Sequence, residues 1–161
     1  VTSGIRIRRA RPEDCDVIAE MVRRLARDTH QSTVPKATGD DLRAEAFSPS
    51  PIVSLWVAEK EGAVVGALVG STIYSTWRAG RGLYVVDLFV ADGHRGDRVG
   101  ERLLVEATRA AVEDGARFVK LEVVAGNDGA SRFYHRLGFA PVAGDVNWIL
   151  EGEDLATVSG R

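Results

Sequence analysis

The sequence predicts an α/β domain, a central sheet whose strands alternate with helices, and three observations carry that reading. Runs of β-branched and aromatic residues recur from IRIRRA near the start to LYVVDLFV (Leu83 to Val90) in the middle. Between the later runs stand segments of helical period, with Leu103, Leu104, Ala107, Ala111 and Val112 on one stripe. Two strand-like runs also meet across EGA (Glu61 to Ala63), the pattern of a hairpin.

Taken in order, Ile5 to Ala10 alternates with period two and is expected as a strand with one wet face. RPED starts a helix, because Pro12 suits a first turn and Glu13, Asp14 and Asp16 suit its positive end. Val17, Ile18, Met21, Val22 and Leu25 form its apolar stripe, and the polar patch Thr29 to Gly39 is a loop. Asp40 to Phe47 is a short second helix, and Pro49 and Pro51 bracket the break after it. Val53 to Glu59 and Val64 to Tyr74 make the hairpin, and WRAGRG loops into the strand Leu83 to Val90. A helix runs on to Gly115, followed by a strand over Phe118 to Val124. NDGASRFYHRLG is a short helix closed by Gly138, and Val146 to Leu150 a final strand. No repeat or linker interrupts residues 4–155, which read as a single domain.

The 161 residues are 45% hydrophobic and 27% charged, ordinary for a globular protein with a real core. A formal net charge of -2 gives no reason to expect binding along a nucleic-acid backbone. One cysteine, Cys15, excludes an intrachain disulfide, fits a reducing compartment, and reads as a structural thiol on a helix. His30, His94 and His135 lack ligand spacing, so no metal centre is expected. No apolar run reaches the length of a membrane span, and the opening residues lack a secretory segment, so the cytoplasm is the expected location.

Two segments carry the chemistry. HRGDRV (His94 to Val99) lies between a strand and a helix whose first N–H groups have no intrahelical acceptors. Gly96 and Gly100 let backbone approach a ligand there, and Arg95 and Arg98 add guanidinium donors, a combination suited to a pyrophosphate. A glycine-softened turn with solvated arginines is the plainer alternative. The spacing is neither a Walker loop nor GxGxxG, which points to another phosphate compound. In GNDGASRFYHRLGF, Asn127 can cap a helix and Phe133 and Leu137 form an apolar pair. Tyr134 is then either a surface hydroxyl or a proton donor to a strongly basic leaving group.

Taken together, the stretches IRIRRARPEDCDVIAEMV, VAEKEGAVVGALVG, LYVVDLFVADGHRGDRVGERLLVEA and KLEVVAGNDGASRFYHRLGFAPV resemble the GCN5-related N-acetyltransferase (GNAT) superfamily. STIYSTWRAGRGLYVVDLFV and HQSTVPKATGDDLRAEAF look like its diamine (spermidine/spermine) and thialysine acetyltransferase branch. The resemblance implies a mixed sheet with splayed strands, flanked by about four helices, and acetyl-coenzyme A as cosubstrate. It implies a donor site of Leu88, Phe89 and Val90 backbone, the turn Arg95, Gly96, Asp97, Arg98, Val99 and Gly100, and Asn127, Ser131 and Tyr134. Tyr134 would protonate the departing thiolate, and Asp87 would serve the acceptor amine as base or charge partner. Tyr84, Trp77 and His30 are the further acceptor-side candidates, with the segment Ser71 to Gly82 as a wall around a small acceptor. A small-molecule amine is the implied partner and a homodimer the implied assembly, with GDVNWILEG as a candidate edge. A non-catalytic acetyl-coenzyme A binder and a protein N-terminal or lysine acetyltransferase are the competing readings.

Two departures from the family pattern stand out. Arg98 occupies a position where the turn usually has glycine, so its side chain is expected either to crowd the phosphates or to compensate from the rim. The central strand has Val86-Asp87 where the diamine branch carries a glutamate-aspartate pair, so the expected acceptor is a smaller amine or amino acid.

Overall fold

IRIRR forms β1 (Ile5–Arg9), whose Ile5 is buried while Arg6 faces solvent, the alternation of a half-wet strand. The computed structural model that shows this describes residues 4–144 and 150–160. A 3-10 turn over Pro12–Asp14 leads into α1 (Cys15–Asp28). Then α2 (Gly39–Ala46) begins at a reciprocal cap: the Asp41 N–H donates to the Thr38 hydroxyl at 3.2 Å and the Thr38 N–H to the Asp41 carboxylate at 2.8 Å. There follow β2 (Val53–Lys60), β3 (Ala63–Ser75), β4 (Gly80–Val90), α3 (Val99–Glu113) and β5 (Ala116–Leu121). The chain divides into two compact units, the first running to Asn127 and the second starting at Asp128. The second contains α4 (Asp128–Arg136) and α5 (Gly152–Ser159).

The sheet of the first unit is ordered β1-β2-β3-β4-β5. Its first four strands form an antiparallel meander, and only β4 to β5 is parallel, joined through α3. Among the described residues one helical crossover joins neighbouring strands. It is where a strand must be followed by a helix, because parallel neighbours need a long connection.

Helices cover both faces of that sheet. Cys15, Ile18 and Met21 of α1 share a buried cluster with Leu55, Val57, Ala67, Val69 and Phe89. On the opposite face Val99, Leu103, Leu104 and Ala107 of α3 are buried. Gly66 makes that approach possible, since a Cβ there would stand 3.2 Å from Val99 Cγ1 and 3.3 Å from Leu103 Cδ1. Cys15 is fully buried, and burial pushes its thiol up, as fits a structural residue. Among the described residues no helix is long and apolar enough to cross a membrane.

One charged cluster lies in this interior. Arg8 pairs with Asp14 and Glu59, each at 2.7 Å, and Asp14 also accepts the Arg11 N–H at 2.7 Å. Asp14 is only 6% exposed, so its charge depends on these donors.

Two strand boundaries differ from expectation by three residues. β4 starts at Gly80, inside the expected loop, because glycine there is a packing requirement: a Cβ on Gly82 would lie 2.4 Å from the Phe118 ring. β5 ends at Leu121, three residues before Val124, with consequences described below. The expected strand Val146 to Leu150 lies outside the described residues except for Leu150, which is not in a strand. In the second unit α5 adds a helix that the sequence reading lacked, making five among the described residues where about four were expected.

Candidate active site

β4 outlasts its neighbour. Its ladder with β5 runs from Arg81 opposite Ala116 to Val85 opposite Leu121 and stops there. Its pairing with β3 continues to Val90 opposite Gly66. Among the described residues, the edge of β4 from Val86 to Val90 thus has a strand on one side only. Backbone groups on that edge are open to an extended ligand. In an antiparallel strand they alternate in direction, and the Ala91 N–H donates to Val65 O at 2.9 Å. The alternation puts Leu88 and Val90 on the open edge and turns the backbone of Phe89 toward β3. The side chain of Phe89 is buried in the cluster under α1.

Beyond Val90 the chain makes two successive turns, with the His94 N–H on Ala91 O at 3.1 Å and the Asp97 N–H on His94 O at 3.3 Å. It then enters α3 through Arg98, which sits at φ 56° and makes no side-chain capping bond to the helix. The first N–H groups of α3 lack intrahelical acceptors by position, and the Arg98 side chain does not supply one. A Cβ built on Gly96 meets nothing within 4 Å, and the Nδ1 of His94 is buried without a hydrogen-bond partner. Uncapped donors, open backbone and an orphaned nitrogen fit a phosphate-bearing donor at this turn.

The left-handed conformation of Arg98 gives the physical reason a glycine is expected there. An L-residue pays about 1 kcal/mol in this region that glycine does not. Arg98→Gly is expected to raise the unfolding midpoint slightly, offset in part by the greater freedom of glycine in the unfolded chain, whereas Arg98→Ala gains nothing from the backbone. Thermal unfolding of both variants checks this; equal midpoints would show that no strain is stored at Arg98. The guanidinium of Arg98 lies along α3 and pairs with Glu101.

Acceptor chemistry concentrates one turn back along β4. The ladder with β3 slips between Val69 opposite Asp87 and Gly70 opposite Val85, so Val86 is an extra residue, a β-bulge. Without it Tyr84 and Asp87 would face opposite sides of the sheet. With it, Asp87 shares the face of Val69 and Tyr84 that of Ser71, which is the α1 face in both cases. Lys120, paired with Tyr84, lies on the same face, and Glu122 follows two residues later. Burial pushes the Tyr84 hydroxyl up, and the Glu122 and Asp87 carboxylates push it further. Burial alone raises the Asp87 carboxyl, and among the described residues no cation pairs with it. Val86, 46% exposed, bulges away from the ladder where the diamine branch has its glutamate.

Glu122 is the residue the sequence reading missed. Its signal was present in KLEVVAG, where an acid falls two residues after Lys120 on the strand expected to splay. Glu122 has no role in the reading of the sequence alone.

In the second unit Tyr134 lies on α4 with its ring edge-to-face on Phe133 (5.0 Å) and Phe139 (5.6 Å). The helix ends at Gly138, φ 91°, with the Phe139 N–H on Tyr134 O at 3.1 Å and the Gly138 N–H on His135 O at 3.0 Å. Burial pushes the Tyr134 hydroxyl up, so it keeps its proton at neutral pH. Ser131 lies on the same helix, and Asn127 closes the first unit with its N–H on Val124 O at 3.0 Å.

The other acceptor-side candidates lie apart from Asp87. Trp77 is 96% exposed in the β3–β4 turn, at the far end of the strand from Val90. Gly80 to Asp87 alone spans about 23 Å at about 3.3 Å per residue. Tyr74 is also exposed at that end, so Ser71 to Gly82 is a projecting hairpin end. His30 is exposed just after α1 at φ 54°.

A strand that loses its partner just before a helix N-terminus is the frame of the acyl-coenzyme A transferases of the GNAT fold, and residues 19–139 match the model of the Acetyltransferase (GNAT) family. The chain belongs to that family and is an N-acetyltransferase with acetyl-coenzyme A as cosubstrate, moving an acetyl group to an amine. It is similar to the thialysine N-epsilon-acetyltransferase of Mus musculus, 32% identical over 170 residues and covering 99% of each chain. In structure it is similar to an integron cassette protein from the mobile metagenome of V. cholerae (TM-score 0.78, 20% identity, 98% and 99% of the two chains). It is also similar to an aminoglycoside acetyltransferase from a soil metagenomic sample (TM-score 0.74, 17% identity, 92% and 97%). The likeness to these two structures is one of fold.

Proposed function

We propose that the protein acetylates the primary amine of a small molecule carrying a second polar or cationic group, such as a diamine or a lysine-like amino acid. The observation that carries this is the bulge at Val86, which brings Asp87 onto the face of Tyr84 beside Glu122 where β4 and β5 part. A half-buried carboxylate without a protein cation favours a cationic or proton-bearing ligand. The similarity to a thialysine acetyltransferase over nearly the whole chain supports the same class of acceptor.

The cosubstrate supplies an acetyl thioester, whose carbonyl is the electrophile and whose sulfur leaves as thiolate. Leu88 and Val90 would align the donor by edge backbone, and the turn Arg95 to Gly100 would hold its pyrophosphate through N–H groups. Asp87, its carboxyl raised by burial, would receive the proton that the acceptor ammonium must lose, directly or through water. Glu122 would hold the acceptor's second cation. Tyr134 would give its proton to the thiolate, which its place in the N-to-FY motif and its protonated state support. The two units would form one acetyltransferase domain over 4–155, as the family match across their boundary favours. A homodimer in the cytoplasm completes the reading, with the free Cys15 in keeping with a reducing compartment.

Asp87→Asn is expected to lower kcat and to raise KM for a diamine, costing about a hundredfold in kcat/KM, and Glu122→Gln to raise KM alone and by less, being exposed. Both should leave coenzyme A affinity unchanged, and Glu122→Gln should affect a monoamine least. Steady-state thiol release with paired diamine and monoamine substrates measures this. Equal changes for both substrates in Glu122→Gln would remove Glu122 as a cation site.

A further inference from the structure

Arginines at a phosphate-binding turn are ordinarily available to the phosphate. Here they are engaged. Arg95 reaches Asp28, the last residue of α1, at 2.7 Å and Asp92 at 3.3 Å, while its Nε donates to Val90 O at 3.2 Å. Arg98 is folded onto Glu101 in the first turn of α3. Arg24, over the Phe89 ring at 5.4 Å, faces Asp92 at 3.6 Å. Three guanidinium groups, Arg24, Arg95 and Arg98, are thus set against three carboxylates, Asp28, Asp92 and Glu101, and Asp97 adds a further negative charge to the turn. The turn carries no local excess of positive charge for a dianion to find.

We infer that Asp28 and Glu101 restrain donor affinity by holding Arg95 and Arg98 in ion pairs with which the donor's pyrophosphate competes. This rests on the reading of residues 95–100 as the pyrophosphate turn. Donor recognition then falls mainly on backbone N–H groups, and the arginines add only what remains after their carboxylate partners are displaced. Asp28 also ties the turn to the end of α1, two residues before the left-handed His30, so the strength of donor binding is set partly from the loop 29–38 side of the fold. Both carboxylates are positioning residues in this account, since they act through the arginines.

The sign of the effect separates this from a structural role. Calorimetric titration with coenzyme A at low salt is expected to show Asp28→Asn and Glu101→Gln each binding about threefold to tenfold tighter than the parent. Their affinity should also fall more steeply with added salt, because a released guanidinium now meets phosphate. Asp28→Glu, which keeps the charge, should behave like the parent. Unchanged or weaker binding by both neutral variants, at unfolding midpoints near the parent's, overturns the inference. If Asp28→Asn unfolds early, Glu101→Gln in the first turn of α3 decides alone. Gly96→Glu, which sets a carboxylate at the turn where a Cβ meets nothing within 4 Å, distinguishes the two levels of failure. Parent-like affinity there sinks the pyrophosphate turn itself; a loss of affinity there, without tightening in the neutral variants, sinks only the restraint by Asp28 and Glu101.

Discussion

Tyr134→Phe is expected to slow acetyl transfer by about two orders of magnitude while coenzyme A affinity stays near the parent value. The substitution removes one oxygen and keeps the ring that packs edge-to-face against Phe133 and Phe139. The helix end, with its Phe139 N–H on Tyr134 O, uses only backbone and is kept as well. What is lost is a proton that burial keeps on the hydroxyl at neutral pH. A departing alkyl thiolate has no other donor assigned to it in this account, and protonation of a leaving group by a placed acid contributes about 10²–10⁴ in rate. Single-turnover transfer at saturating donor isolates that step from product release. A rate equal to the parent's would remove Tyr134 as the acid and leave solvent to protonate the thiolate.

Asp14→Ala is expected to carry the largest stability loss in the chain, about 3–5 kcal/mol, because it strands the buried side of Arg8 and leaves the Arg11 N–H without its acceptor. For a chain of this size that corresponds to a fall in unfolding midpoint of about 10 °C. Glu59 remains on Arg8, which keeps the loss from being greater. The same cluster predicts a pH dependence. The Arg8 guanidinium holds the Asp14 carboxyl below its ordinary value, so the native state binds fewer protons there than the unfolded chain. Its contribution is complete above about pH 4 and is lost as pH falls through the lower, folded value. Denaturant midpoints measured from neutral to acidic pH should decline in the parent along this limb and converge toward those of Asp14→Ala. Parallel curves would show that Asp14 is not the group responsible.

How much of this was legible in the sequence depended on the range of the physics. Local rules sufficed where one element decides its own form, as in the alternating Ile5 to Arg9, the helix entered through Pro12, and the stop at Gly138. The family resemblance rested on motifs of the same local kind, and the match over residues 19–139 establishes the family. Gly80 to Gly82 was read as loop because glycine disfavours strands, whereas contact with the Phe118 ring requires it there. The bulge at Val86 was invisible, since a one-residue slip is a property of two strands in register and leaves no mark on either alone. Its consequence, Tyr84 and Asp87 on one face with Glu122 beside them, was therefore beyond reach, and Glu122 was passed over. Arg98 was noticed as an anomaly, but its φ of 56° and its pairing with Glu101 needed coordinates. Trp77, named as an acceptor-side aromatic, stands at an exposed hairpin end, a placement that needed the strand ladder to see.

The central claim is that β4, where it parts from β5, presents a small amine to an acetyl thioester. The most direct test is release of free coenzyme A thiol by purified protein given acetyl-coenzyme A and a panel of amines. The account predicts release with lysine-like amino acids or diamines, reduced by Asp87→Asn and slowed about a hundredfold in single turnover by Tyr134→Phe. Measurable coenzyme A binding with no release for any small amine would contradict it.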